Sequence, residues 1–178
     1  MKLCLHLCCG PCGAYCVPHL QQKGIELLMY YHRDNIHPYT ECQKREKSAI
    51  QLSQIDRFPL IIQEGYNLSG FLKEMTAHEN DRCSKCYERR LWATANVAKS
   101  HNCDSFSTTL LYSKYQNHER IISVAQKISQ ETGLDFYYED FRIGWEEGIQ
   151  RSKELNLYRQ SYCGCIYSEK ERYYKEQK

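Results

Sequence analysis

The chain contains 178 residues, of which 42% are hydrophobic and 26% are charged, and it carries a formal net charge of +2. This length suits one domain, or one domain with a small lobe. A charge this small does not by itself indicate nucleic-acid binding, because it does not describe how the charges are distributed. No apolar run approaches the ~18 residues of a membrane-spanning helix. We therefore expect no transmembrane segment.

Eleven cysteines are the unusual feature of the composition. The apolar stretch at the N-terminus is short and is interrupted by His6, so the sequence predicts no signal peptide and a cytoplasmic location. In a reducing compartment, thiols serve as metal ligands or catalytic groups more often than as disulfide partners. The spacing of the cysteines therefore decides which chemistry they can support.

The first predicted elements form a β-α-β unit. Residues 2–7 predict a strand, residues 8–12 a tight turn, and residues 14–23 a helix that Gly24 ends. Residues 25–31 predict a second buried strand. In an open parallel sheet, ligands bind beyond the carboxyl ends of the strands, and the cysteine-containing turn falls at that edge.

The rest of the chain continues the alternation of helix and strand, after a polar loop at residues 34–39. Further helices are predicted at about residues 40–55, 67–75, 87–100 and 119–132. Further strands are predicted at residues 59–63, 105–111 and 136–140. We interpret residues 1–168 as a single α/β metal-binding catalytic domain, with or without a small helical lobe. Residues 169–178 are interpreted as a charged C-terminal tail, either helical or disordered.

Seven of the cysteines fall into three short groups. These are Cys8, Cys9 and Cys12; Cys83 and Cys86; and Cys163 and Cys165. A C-x-x-C pair places two thiolates where both can reach one metal centre, and nearby glycines leave backbone amides free to hydrogen-bond sulfur. Seven thiols exceed the four that one structural zinc uses, which favours a cluster with a second metal or with reactive thiols. The irregularly spaced remainder are interpreted as ordinary thiols: Cys4, Cys16, Cys42 and Cys103.

Spacing alone leaves several chemistries open. Zinc and iron–sulfur centres both use such cysteine pairs. Cys9-Gly-Pro-Cys12 after a strand is also typical of a thioredoxin-type thiol–disulfide motif, although that role would leave the other two groups unused. A PP-loop-like sulfur-transfer enzyme acting on tRNA would need an S-G-G-x-D-S-type phosphate turn, which the sequence lacks. A zinc-binding RNA module is a further alternative.

A series of ordered sequence blocks resembles one family. Leu5-His6-Leu7-Cys8-Cys9-Gly10-Pro11-Cys12 is similar to the family's opening signature, with Gly10 where Ala is usual. The other matching blocks are residues 35–38 with Glu41 and Arg45, 82–91, 107–111 with 117–119, 140–142, 152–155 and 158–165. This is the QueH-type, cobalamin-independent epoxyqueuosine reductase family, and the resemblance covers residues 3–168.

The resemblance implies a fold, cofactors and an activity. The fold would be a Rossmann-like α/β structure of the HUP or PP-loop-like type, with a parallel sheet flanked by helices. The cofactors would be a [4Fe–4S] cluster and a neighbouring mononuclear metal ion, taken to be iron. The activity would be reduction of the epoxide of epoxyqueuosine in tRNA to queuosine, the last step of queuosine biosynthesis. One block departs from the family, since His32-Arg33-Asp34 stands where Tyr-Asn-Pro is usual.

The predicted site follows from these blocks. The predicted metal ligands are Cys8, Cys9, Cys12, Cys83, Cys86, Cys163 and Cys165, among which Cys8, Cys9, Cys83 and Cys86 are expected to bind the cofactor. Cys12 is also a candidate catalytic residue, although its role as a ligand is the least defined. Asp140, at the end of a predicted strand, is a candidate acid or metal ligand, with a helix cap as the alternative.

The expected partners are an electron donor and tRNA carrying epoxyqueuosine at the wobble position. Converting an epoxide to an alkene takes two electrons and protons, and the sequence has no G-x-G-x-x-G turn for a dinucleotide, so a metal centre is the expected carrier. Candidate contacts to the tRNA backbone are Arg82, Arg89, Arg90, Arg142 and Arg159. These arginines could instead balance the charge of a cluster. Candidates to stack on an unstacked base are Tyr87, Tyr115, Tyr158 and Tyr162.

Overall fold

A five-stranded parallel sheet lies at the centre of the computed structural model, which describes residues 1–175. Its strands are β1 (Lys2–His6), β2 (Glu26–Tyr31), β3 (Leu60–Ile62), β4 (Ser105–Thr108) and β5 (Asp135–Phe136). They are arranged in the order β3-β2-β1-β4-β5, and every neighbouring pair is parallel. The direction of winding reverses between β1 and β4. In a doubly wound sheet, a crevice for ligands opens at this point.

Seven α-helices accompany the strands within residues 1–175. They are α1 (Gly10–Gln22), α2 (Tyr39–Asp56), α3 (Leu68–Ala77), α4 (Arg82–Ser100), α5 (His118–Thr132), α6 (Trp145–Glu154) and α7 (Ile166–Tyr173). Helix α1 packs against α2 and α6, whereas α4 packs against α3, α5 and the central strands. None of these helices is long and apolar enough to cross a membrane.

The central strands are buried along nearly their whole length. In β1, Leu3, Cys4 and Leu5 have no exposed surface, and β2 is buried from Leu27 to Tyr31. Continuous burial is typical of parallel strands, because helices cover both faces of the sheet. The predicted Rossmann-like α/β class with a parallel sheet is therefore confirmed. A smaller core of Phe71, Met75 and Cys86 lies beside the main one, close to the cysteine groups.

The predicted β-α-β unit at the start of the chain is present, and most differences concern where elements end. The strand expected at 105–111 stops at Thr108, whose side chain caps a 3-10 turn by accepting from the amide of Leu110. The strand expected at 136–140 is shorter, covering Asp135–Phe136. Helix α4 begins at Arg82 rather than at residue 87, so the second cysteine pair lies inside its first turns.

Helix α6 was not predicted from the sequence. It has few apolar residues, but its charges are ordered along the helix. Glu146 and Glu147 lie in its first turn, and Arg151 and Lys153 in its last. That arrangement complements the helix dipole and is the signal that could have revealed it.

The last described element is α7, which runs from Ile166 to Tyr173 and therefore crosses residue 168, where the charged tail was expected to begin. Of the two structures expected for that segment, helical or disordered, the helix is observed up to Tyr173. Residues 176–178 of the expected tail lie outside the described part of the chain.

Gly10 marks a close approach between α1 and α2. A Cβ atom at this position would lie 2.3 Å from Ser48 Oγ and 2.7 Å from the Ser48 carbonyl oxygen. These distances are too short for a side chain, and one of the neighbouring atoms belongs to the backbone. The departure from alanine in the opening signature therefore has a local structural cause in this chain.

Candidate metal centre

The first cysteine group lies directly beyond the carboxyl end of β1. Cys9 occupies the N-cap position of α1, and the sulfur atoms of Cys8, Cys9 and Cys12 all lie within 4.8 Å of one another. The Sγ atoms of Cys9 and Cys12 are 2.9 Å apart, and those of Cys8 and Cys9 are 3.8 Å apart. We call these three residues the thiol triad. Its compactness arises because the strand ends and the helix begins within four residues.

Polar side chains from distant parts of the chain contact the thiol triad. The hydroxyl of Thr109 accepts from the Cys8 amide at 3.1 Å and donates to Cys8 Sγ at 3.3 Å. The amide of Gln160 donates to Cys9 Sγ at 3.0 Å. Thr109 is brought here because β4 pairs with β1 in parallel. Thr109 lies in a block that the sequence singled out, but its contact with sulfur was not predicted, and neither was that of Gln160.

The pKa values of the three thiols in the triad differ. Hydrogen bonds from the thiols of Cys12 and Cys9 and from the Thr109 hydroxyl hold the pKa of Cys8 well below its usual range. Burial raises the pKa of Cys9, and hydrogen bonds to Cys8 and Cys9 raise the pKa of Cys12. Cys8 is therefore the thiol of the triad that ionises most readily, and a thiolate is the form that ligates metals.

The other two cysteine groups meet each other. Cys83 and Cys86 lie in the first turns of α4, while Cys163 and Cys165 flank Gly164 before α7. All four line one cavity of about 160 Å³, which we call the four-cysteine cavity. Burial raises the pKa of Cys86 to about 12. Residues that are about 80 positions apart in sequence are thus brought to a single site.

A larger cavity of about 600 Å³ joins the two groups, because Cys8, Cys12 and Cys163 all contribute to its wall. Beneath them lies Arg90, which is only 2% exposed. Burial alone would lower the pKa of Arg90, but the nearby thiols of Cys86, Cys163 and Cys8 raise it. Arg90 is therefore a permanent positive charge that lies close to cysteines of all three groups.

Arg45 fixes the position of the last cysteine group. Its side chain is buried and donates to the carbonyl oxygens of Cys163 at 2.7 Å and Tyr162 at 3.0 Å. Its Nε donates to Glu41 at 2.8 Å, and Glu41 in turn accepts from the Tyr158 hydroxyl at 2.5 Å. The block that contains Glu41 and Arg45 and the block of residues 158–165 are therefore joined by hydrogen bonds. The signal for it was the Glu41–Arg45 pair at i,i+4 in α2, whose burial the sequence did not reveal.

His37 holds the same segment from the other side. Its backbone amide donates to the Gly164 carbonyl at 2.7 Å, and its Nδ1 accepts from the Ile166 amide at 3.2 Å. The proton therefore resides on Nε2, which donates to the Asp34 carbonyl at 2.8 Å. Gly164 itself has a φ of +152°, and a Cβ there would lie 3.2 Å from Arg45 Nη1. Glycine is required at this position by both its conformation and its surroundings.

Asp140 occupies the capping position that the sequence left as an alternative. Its carboxylate accepts from the Arg142 amide at 3.1 Å and forms an ion pair with the Arg142 side chain at 2.6 Å. Hydrogen bonds from Arg142 lower the pKa of Asp140 to about 2. Asp140 is therefore a carboxylate at neutral pH, and it lines neither cavity. This geometry gives no support to a role as proton donor.

The remaining predicted arginines are dispersed. Arg159 is exposed and lines the larger cavity, and Arg82 lines the four-cysteine cavity, where it pairs with Glu171. Arg89 forms ion pairs with Asp34 at 2.8 Å and Glu74 at 3.0 Å. Arg142 is paired with Asp140, as described above. Among the five arginines, only Arg159 therefore combines exposure, a cavity position and freedom from ion pairing within residues 1–175.

His32, in the block that departs from the family pattern, is buried behind the site. It is 4% exposed, its Nδ1 lies 3.3 Å from the Tyr30 hydroxyl, and its Nε2 has no hydrogen-bond partner within residues 1–175. Burial lowers the pKa of His32 from 6.5 to about 4, with Arg90 and Arg89 acting in the same direction and Asp34 opposing them. The imidazole is therefore neutral in the folded protein at physiological pH.

A parallel α/β sheet whose carboxyl edge carries seven clustered cysteines defines a Rossmann-like protein with a thiol-lined site. The epoxyqueuosine reductase QueH family model matches residues 3–171. The epoxyqueuosine reductase QueH of Dehalococcoides mccartyi is 38% identical over 97% of this chain and 94% of its own length. The epoxyqueuosine reductase QueH of Thermotoga maritima is 32% identical over 94% of this chain and 90% of its own length. The chain belongs to the epoxyqueuosine reductase QueH family, and it is an oxidoreductase.

A solved structure supports the fold assignment. The protein described as a predicted subunit of tRNA methyltransferase from Methanocaldococcus jannaschii superposes with a TM-score of 0.59. The superposition covers 86% of this chain and 76% of that one, at 10% sequence identity. At this identity, the similarity establishes a shared α/β fold and nothing about activity.

We predict that Arg45→Met destabilises the protein by about 3–5 kcal/mol, because it leaves Glu41 buried without its counter-charge. Adding Glu41→Leu should recover part of this loss, because the unpaired carboxylate is then removed. Arg33→Met is the matched control: Arg33 also pairs with a glutamate of α2, at 2.7 Å, but these two side chains are 23% and 19% exposed, against 2% and 8% for Arg45 and Glu41, so its loss should cost less than that of Arg45. Urea denaturation measures all three. Equal losses of unfolding free energy for Arg45→Met and Arg33→Met would contradict the prediction that the buried Arg45–Glu41 pair matters more to stability.

We predict that His32 makes the protein less stable in mild acid. The unfolded chain takes up a proton near pH 6.5, whereas folded His32 does so only near pH 4. Its contribution to stability is therefore complete above pH 6.5 and falls by up to about 1.4 kcal/mol per pH unit between pH 6.5 and 4. His32→Gln cannot titrate, so its unfolding free energy should decline less over this range. Parallel curves for the two proteins in urea titrations at several pH values would contradict the prediction.

Proposed function

We propose that this chain reduces the epoxide of epoxyqueuosine in tRNA to queuosine, using iron held by its clustered cysteines. The observation that carries the proposal is that three cysteine groups, all within the family match, line two adjoining cavities that share Cys163. The chain would act in the cytoplasm, on the wobble nucleotide, with electrons from a separate low-potential donor. Residues 1–168 would form the catalytic domain, with residues 169–178 as a tail.

The two cysteine sites fit two kinds of metal centre. Four thiols around one cavity match the number of ligands that a [4Fe–4S] cluster uses, so we assign the cluster to Cys83, Cys86, Cys163 and Cys165. This revises the expectation from the sequence, in which Cys8 and Cys9 were to bind the cofactor together with Cys83 and Cys86. The thiol triad places three soft donors within 4.8 Å, which suits a single thiophilic ion such as iron. When bound, such centres supply electrons and a Lewis acid for the epoxide oxygen.

The surrounding residues have distinct tasks in this proposal. Gln116 donates to Cys163 Sγ at 3.4 Å and Gln160 to Cys9 Sγ at 3.0 Å, so both amides would stabilise negative charge on sulfur. Arg90 offsets the charge of both groups from below. Cys12 faces the larger cavity and stays our candidate catalytic thiol. Its position within the thiol triad, at the wall of the larger cavity, would place it against a bound epoxide.

The larger cavity is the proposed binding site for the modified nucleoside. Its volume of about 600 Å³ lies within the range of ordinary small-molecule sites, roughly 300–1,000 Å³. The thiol triad forms part of its wall, so a nucleoside bound there would lie against the metal. Arg159 at the same wall is free to contact phosphate.

We predict that the anaerobically purified protein is brown and contains about five iron atoms per chain, four in the cluster and one beside it. Cys86→Ala should remove the broad absorbance near 400 nm, because the cluster loses a thiolate. Cys42→Ala is the matched control, since Cys42 is also buried in a helix but lines neither cavity. Colourless protein with about one zinc per chain would contradict an iron–sulfur centre.

We predict that the iron-loaded protein converts epoxyqueuosine-tRNA to queuosine-tRNA without cobalamin, given a low-potential reductant. Nucleoside analysis by mass spectrometry detects the loss of one oxygen. Free epoxyqueuosine nucleoside should react more slowly, because it lacks the phosphates that contribute binding energy. Iron-replete protein that leaves epoxyqueuosine-tRNA unchanged under several reductants would refute the proposed activity, while leaving the assignment of the metal ligands intact.

A further inference from the structure

An aromatic surface forms part of the wall of the larger cavity, and its residue Tyr115 also lines the four-cysteine cavity. It consists of Tyr112, Tyr115 and Trp145, all of which line the cavity. Trp145 stacks on Tyr112 with ring centroids 5.1 Å apart, and Tyr115 lies edge-on to Trp145 at 5.7 Å. We call these residues the aromatic rim. Tyr115 is 84% exposed, and its hydroxyl has no hydrogen-bond partner within residues 1–175.

The inner part of the rim is held in place. The Tyr112 hydroxyl donates to the Trp145 carbonyl at 2.9 Å, and Tyr112 is buried. A Cβ at Gly148 would lie 2.4 Å from that hydroxyl, so a glycine is needed for Tyr112 to fit beneath α6. The outermost ring, that of Tyr115, is instead open to solvent. An exposed ring of this kind adds nothing to the packing of the core, but it offers a flat face that a ligand can cover.

The charged residues that line the larger cavity are all positive. Lys114 Nζ lies 5.5 Å from the centre of the Trp145 ring, and Arg159 and Arg172 line the same cavity. None of the three forms an ion pair among residues 1–175, and no aspartate or glutamate lines this cavity. Aromatic rings beside unpaired cations are the combination that binds single-stranded nucleic acids, with bases stacked on the rings and phosphates near the cations.

We infer that the aromatic rim binds a nucleotide adjacent to the one that enters the larger cavity, with its base stacked on the exposed ring of Tyr115. This inference rests on the proposed function and extends it to the flanking sequence of the anticodon loop. Single-stranded loops allow neighbouring bases to be splayed apart and stacked on aromatic side chains. Lys114 and Arg159 then face the phosphates on either side of the stacked base. An electron-donor protein is the competing occupant, but the cationic, carboxylate-free wall of the cavity fits a nucleotide better.

The test measures binding of an unmodified, fluorescently labelled anticodon stem-loop RNA to the full-length protein, purified anaerobically. Tyr115→Ala should raise the Kd about tenfold, as expected for the loss of one base–aromatic stack. Tyr115→Phe keeps the ring and should bind like the wild type. Tyr138→Ala is the matched control, because Tyr138 is also an exposed tyrosine, at 49%, but lines neither cavity. Its affinity should be unchanged.

The outcomes separate this inference from the proposed activity. Wild-type affinity in Tyr115→Ala, or an equal loss in Tyr138→Ala, overturns the aromatic rim as a nucleotide site. If Tyr115→Ala keeps its RNA affinity but loses turnover with a protein donor and not with a chemical reductant, the rim is a donor site and the inference is wrong. Because the RNA is unmodified, a tenfold loss of affinity upholds the inference even where no epoxide reduction is detected.

Discussion

The site depends on one buried ion, the guanidinium of Arg45. Removing such a charge from water costs several kcal/mol, which only well-placed partners can offset. Glu41 supplies the opposite charge, and the carbonyls of Tyr162 and Cys163 take two further N–H groups. These partners leave the segment before Cys165 little freedom. Because Cys163 contributes to both cavities, the position of Arg45 determines whether the two cysteine sites adjoin.

The parallel sheet provides the second constraint. β1 and β4 are adjacent although about 100 residues separate them, and their carboxyl ends meet at the same edge. The thiol triad follows β1, and Thr109 follows β4, so the hydroxyl reaches Cys8 without any direct link in sequence. The switch in winding between these strands leaves the space above them free of a crossing helix. The larger cavity therefore opens where the fold has no element to fill it.

The sequence predicted best those features that depend on residues close together in the chain. The opening strand, turn and helix follow from apolar runs and from Gly and Pro, and the cysteine groups are visible as short spacings. What could not be predicted depends on tertiary contact. The contact of Gln160 with sulfur joins positions 151 residues apart, and the burial of Arg90 beneath three thiols has no local signature. Asp140 was ambiguous because a strand end and a cap favour the same residue, and only the structure placed Arg142 against it.

The separation of the cysteine groups along the chain has a consequence for biosynthesis. Cys12 is translated 151 residues before Cys163, since 163 − 12 = 151, and ribosomes add roughly 5–20 residues per second. The nascent polypeptide thus presents its N-terminal thiols for roughly 8–30 s before the C-terminal pair exists. The four-cysteine cavity is therefore completed only after Cys163 and Cys165 have been translated. The early thiols meanwhile depend on the reducing power of their surroundings to stay unoxidised.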